Sequence, residues 1–204
     1  MSLKILHRIS GICICVFIGV HLANHLWSVF GVKEHIEMMN KLRVYYRNPV
    51  AEILLITSIV IQIISGINLF ISNKEKAKTG FDKLQLCTGL YLLVFLFIHL
   101  AAVFGARLFF HLDTNFYFGV AGINTFPLNL FFIPYYAIAV ISFFCHVAVI
   151  HAKKMQYVIY GIKPLQQAKI IITIGVVITF VLFYGLTNKF KGVEIPEPYR
   201  IFSK

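Results

Sequence analysis

Histidines are the residues of this 204-residue chain with the most chemistry to offer, and two of its eight recur in matched surroundings. Ser10-Gly11, Phe17 and His21-Leu22 lie in one apolar run, and Thr88-Gly89, Phe95 and His99-Leu100 lie in another at identical spacing. Five matched positions are more than two apolar helices share through composition, so the pattern reads as an internal repeat. On a helix, a Phe four residues before a His sits one turn below it on the same face. A neutral imidazole in an apolar run can bind a metal through one ring nitrogen while the other donates to a neighbour. Two histidines at one depth on neighbouring helices are what a six-coordinate haem b requires. Interhelical hydrogen bonding, a proton relay or another metal would use the same residue types. His21 and His99 are therefore the candidate metal ligands, with one haem b as the expected cofactor.

The elements that must position these residues are legible from charge. Residues 9–32, 53–73, 84–106, 114–152 and 170–188 carry no Asp, Glu, Lys or Arg. A helix needs about 20 apolar residues to cross a bilayer. The long fourth stretch breaks at Pro127 and Pro134 and begins with an aromatic-rich loop at 115–119. The fold class expected is thus all-α: a bundle of five transmembrane helices near 9–30, 50–72, 84–106, 132–152 and 169–188. The whole chain forms one domain containing a helix-hairpin repeat. Asn48-Pro49 reads as a cap with proline in the first turn of the second helix, and Glu52 lies near that positive helix end. At about 1.5 Å per residue, His21 and His99 fall in one layer. Gln62 and His146, on helices running the other way, fall in a second layer and are expected to face each other. His146 is the weaker ligand candidate. His25 and His151 lie near helix ends and His7, His35 and His111 in or beside loops, which suits interfacial positions. The fifth helix has neither charge nor histidine and reads as a packing helix.

Composition agrees. Hydrophobic residues make up 59% of the chain and charged ones 13%, with a mean hydropathy of +0.81, which excludes a soluble globular domain and disorder. The formal net charge of +11 sits in short clusters between the uncharged stretches, as juxtamembrane charge does, so lipid and not nucleic acid is the expected partner. Cys13, Cys15, Cys87 and Cys145 lie in apolar runs without a CxxC pair and read as buried thiols. The first run has a basic start but is too long for a signal peptide, and it holds His21 and Asn24 without a small-residue cleavage site. With the N-terminus inside, inner segments carry ten Lys and Arg against nine outside, which favours N-inside and C-outside. No nucleotide loop, carboxylate pair or nucleophile elbow is present, so the chain is not catalytic alone.

Several of these residues resemble the cytochrome b membrane anchors of succinate dehydrogenase and fumarate reductase. Ile5–Gly11 reads ILHRISG, like that family's opening motif. His21-Leu22 with Asn24 looks like its first-helix ligand, and His99 and His146 stand where third- and fourth-helix ligands do. Tyr46 through Arg47-Asn48-Pro49 to Glu52, then Gln62 and Gly66, is similar to the approach to its second helix. The resemblance covers about residues 5–152. It implies haem between helices and electron transfer between iron–sulfur and flavoprotein subunits and a membrane quinone. The location it implies is a bacterial inner membrane or organelle equivalent. It also implies that His7, Arg8 and Ser10 are candidates to bind a quinone carbonyl or a haem propionate. Gln62 departs from the family, which has histidine there, so the second-layer haem is not expected. A stand-alone haem-binding membrane protein and a non-redox interaction protein with the same bundle are the alternatives.

Overall fold

The computed structural model describes residues 2–200. Among them, the regular elements are helices, and the β-type pairing found is one isolated bridge between Ile159 and Ile162. Seven α-helices run in chain order: α1 (Leu3–Leu26), α2 (Val32–Tyr46), α3 (Pro49–Asn73), α4 (Gly80–Leu108), α5 (Phe116–Asn124), α6 (Asn129–Lys154) and α7 (Pro164–Leu186). Five of them, α1, α3, α4, α6 and α7, are long and apolar enough to cross a membrane. Their side chains are distributed accordingly. Val16, Ile53, Phe97 and Phe180 are all more than 60% exposed, the arrangement of a bundle solvated by lipid tails.

Several helix starts have a local cause. The Asn48 side chain accepts from the Val50 amide at 3.0 Å, with Pro49 opening α3. Thr79 and Asp82 form a reciprocal capping box at α4. Asn115 caps α5 through the Tyr117 amide. Gly31 precedes α2 at φ 142°, where its missing side chain leaves room for the Glu34 carboxylate.

The helices pack mainly as hairpins, α1 on α3 and α4 on α6, with α7 laid along α6. Gly175 of α7 lets the Phe144 side chain of α6 approach where a methyl would stand, and Gly185 does the same for Ser28. The end formed by the α3–α4 and α6–α7 connections carries Lys74, Lys76 and Lys78, and is called the lysine end here. There the Lys153 ammonium pairs with Asp82 Oδ1 at 2.6 Å and joins α4 to α6. The opposite, capped end carries α2, α5 and the C-terminal stretch. Its core is Phe116, Val120, Ile123 and Ile195, flanked by Val32, Ile36, Phe132 and Tyr199.

The five expected spans are present, but each helix runs past its charge-free window. α1 begins at Leu3 and α7 at Pro164, because a helix ends at its cap, not where apolar residues stop. Pro134 does not break the fourth span; it lies inside α6. The aromatic 115–119 loop is the first half of α5, and α2 replaces an expected connection. The four cysteines are free, as expected. Of these, Cys145 is buried and Cys13 half-buried, whereas Cys15 and Cys87 are exposed on the bundle's outer surface.

Candidate functional site

His21 on α1 and His99 on α4 come together, with ring centroids 6.3 Å apart. Each rests on the phenylalanine one turn below it: Phe17 stacks on His21 at 5.6 Å and Phe95 on His99 at 5.3 Å. Behind Phe95 stand Tyr135 and Tyr136 of α6, at 5.0 and 6.0 Å. The Tyr91 hydroxyl donates to the Tyr135 carbonyl at 2.8 Å and ties α4 to that aromatic wall.

Two further histidines join this layer. His25 Nε2 lies 3.1 Å from His21 Nε2, and His25 Nδ1 lies 3.4 Å from His35 Nε2. The Asn24 amide donates to His35 Nε2 at 3.3 Å. Both Asn24 and His35 are buried, at 6% and 1% exposure. Yet Asn24 Oδ1 and His35 Nδ1 have no hydrogen-bond partner. Burial, with Arg43 nearby as a second cause, holds the His35 imidazole down to about 4, so it is neutral at physiological pH. His25 and His35, expected only as helix-end and loop residues, thus join the His21 layer. The missed signal for His25 is its i+4 spacing from His21; for His35 it is the buried stripe it shares with Met39 on α2.

The second layer differs from expectation. Gln62 does not pair with His146. Its amide donates to His7 Nε2 at 3.2 Å and its carbonyl accepts from the Ser10 hydroxyl at 2.7 Å. His7 Nδ1 lies 2.8 Å from Ser65 Oγ, whose hydroxyl donates to the Ile61 carbonyl. His7, Ser10, Gln62 and Ser65 thus satisfy one another across α1 and α3. His146 turns instead to Thr88 of α4, with Nδ1 3.2 Å from the hydroxyl oxygen. Gln62 pairs with Ser10 because residues 10 and 62 face each other within one hairpin, whereas α6 belongs to the other. Arg8 is exposed and has no hydrogen bond among the described residues, so it stands apart from this network.

The two hairpins carry parallel contacts. Ser10 meets Gln62 as Thr88 meets His146. A Cβ at Gly11 would lie 3.4 Å from Gln62, and one at Gly89 would lie 3.1 Å from His146.

Two imidazoles from different helices are a donor set that could hold a haem iron. At 6.3 Å between ring centroids, His21 and His99 are the two residues that would hold such a group between α1 and α4. Unpartnered buried polar atoms beside the pair are also what a site completed by a bound group leaves. Among the described residues, no three or more His, Cys, Asp or Glu converge to hold a single metal ion. No family model, curated protein or solved structure matches the chain.

Proposed function

We propose that this integral membrane protein binds one haem b between His21 and His99. We further propose that it serves as the membrane anchor of a succinate dehydrogenase/fumarate reductase-type complex, carrying electrons between an iron–sulfur partner and quinone. The observation that carries the haem reading is the 6.3 Å approach of two histidines from different helices, each backed by a stacked phenylalanine. Haem, when bound, supplies one-electron transfer. The chain's own residues supply two neutral nitrogens, an aromatic wall and exclusion of water. Were His21 to hold the haem, its contact with His25 would be given up, and His25 would keep His35 as a partner through Nδ1.

Quinone, in this reading, approaches the lysine-end half of α1. Ser10 is the hydroxyl available to a quinone carbonyl and would exchange its bond to Gln62 for one to the ligand. His7, whose Nε2 accepts from Gln62, is the adjacent imidazole. Arg8, exposed at the same end of α1, suits a lipid or quinone headgroup. The basic lysine end is the face for the iron–sulfur and flavoprotein subunits. The parallel contacts in the two hairpins support duplication of a single helix hairpin.

A second reading, a stand-alone haem-binding membrane protein, is favoured by one observation. Gln62 is engaged by Ser10 and His7, so the second layer has no histidine pair to bridge the lysine end and the His21–His99 layer. Purification from membranes separates the readings. A Soret band with co-purifying flavoprotein and iron–sulfur subunits supports the anchor. A Soret band without them supports the stand-alone protein, and no haem absorption contradicts both.

A further inference from the structure

On the bundle's outer surface, α3 and α4 leave an apolar groove of about 260 Å³. It is lined by Ile56, Ile59, Val60 and Ile63 from α3 and by Phe97, Leu100, Ala101 and Phe104 from α4. From Ile56 to Ile63 it runs about 10 Å along the helix axis. The end nearest the cap is not apolar. One turn beyond Ile56 and Phe104, Arg107 Nη1 pairs with Glu52 Oε1 at 2.9 Å, and the Arg107 guanidinium sits over the Phe104 ring at 5.9 Å.

Further out, the charges do not cancel. Arg43 takes Asp113 with both guanidinium nitrogens, at 2.9 and 3.1 Å. Arg107 takes Glu52. Arg47, with its side chain 32% exposed, keeps a hydrogen bond to the Thr114 hydroxyl at 3.0 Å and a long 3.8 Å approach to the already engaged Asp113. Burial, and then Arg43 and Arg107 beside it, lower the Arg47 pKa. Three guanidiniums thus share two carboxylates at the capped end beyond the groove, with Arg107 the one that reaches its rim over Phe104.

We propose that this groove binds an anionic phospholipid, with the phosphate on Arg47 and an acyl chain between α3 and α4. The surplus cation selects net negative charge, and the continuous apolar floor selects a headgroup carrying a tail over a free phosphate. Residues of the haem layer take no part.

The test uses the full-length protein in phosphatidylcholine vesicles containing brominated phosphatidylglycerol or brominated phosphatidylcholine. Trp27→Phe with Phe104→Trp puts the sole indole in the groove, and Trp27→Phe with Val177→Trp puts it on the exposed face of α7 as a control. The groove reporter is expected to show on the order of a fivefold preference for the anionic quencher, the effect of about one basic residue near a membrane surface. The preference should fall to near unity with Arg47→Gln and shrink in high salt with Arg47 intact. The control reporter should show none. Equal quenching by both lipids in the groove, an equal preference at the α7 reporter, or a preference indifferent to both Arg47→Gln and salt would overturn the assignment.

Discussion

His35 turns the buried histidine cluster into a pH-dependent stability. Its imidazole is 1% exposed and held down to about 4, with burial the larger cause and Arg43 the second, against 6.5 ordinarily. A depressed folded-state pKa means that the unfolded chain binds the proton more readily. Stability is therefore complete above about pH 6.5 and declines as the pH falls toward 4. The full gap corresponds to about 3 kcal/mol, and at about pH 5 the loss is about 2 kcal/mol. The perturbation is His35→Gln, which removes the titration and keeps a polar side chain against Asn24. The assay is reversible unfolding in detergent micelles, wild type beside variant, from about pH 7 to about pH 5. Whatever the variant loses at neutral pH, its stability should fall by about 2 kcal/mol less than the wild type's over that interval. Parallel pH slopes for the two proteins would refute the claim that His35 is buried neutral.

Two other outcomes follow from packing and charge. Gly175→Ala places a methyl where the Phe144 side chain meets α7, and should destabilise by roughly 2 kcal/mol. Gly105→Ala meets nothing within 4 Å and should be neutral or stabilising by up to about 1 kcal/mol; thermal melts of the two variants compare them directly. The basic lysine end should face the cytoplasm. In a background lacking the four native cysteines, Phe110→Cys should then react with an impermeant thiol reagent added from outside and Lys78→Cys should not; the reverse pattern would invert the topology.

The spans were legible because lipid imposes a uniform demand: about 20 residues without charge. Their ends were not, since Leu3, Lys4 and Arg8 extend α1 beyond the apolar run. α2 escaped notice because Lys33, Glu34, Glu37, Lys41 and Arg43 dilute a stripe made by His35 and Met39. α5 was hidden by aromatic content, although Phe116, Val120 and Ile123 repeat at helical spacing after the Asn115 cap. Within the site, the spacing shared by residues 10–22 and 88–100 was enough to pair His21 with His99. It could not supply the Gln62 partner, because which neighbour a side chain turns to depends on helix rotation and not on depth. Asn24, His25 and His35 meet through the fold-back of α2 on α1, a long-range contact with no repeat to announce it.

The central claim is one haem b per chain held by His21 and His99. Haem-to-protein stoichiometry by the pyridine haemochrome method, on wild type, His21→Ala, His99→Ala and His146→Ala, tests it most directly. The structure keeps Gln62 with Ser10 and His7 and leaves His146 on Thr88, so the second layer is expected to hold no haem. The expected result is one haem in wild type, none after either His21→Ala or His99→Ala, and one retained after His146→Ala. Two haems in wild type, or loss of haem in His146→Ala alone, would contradict the assignment of the ligands.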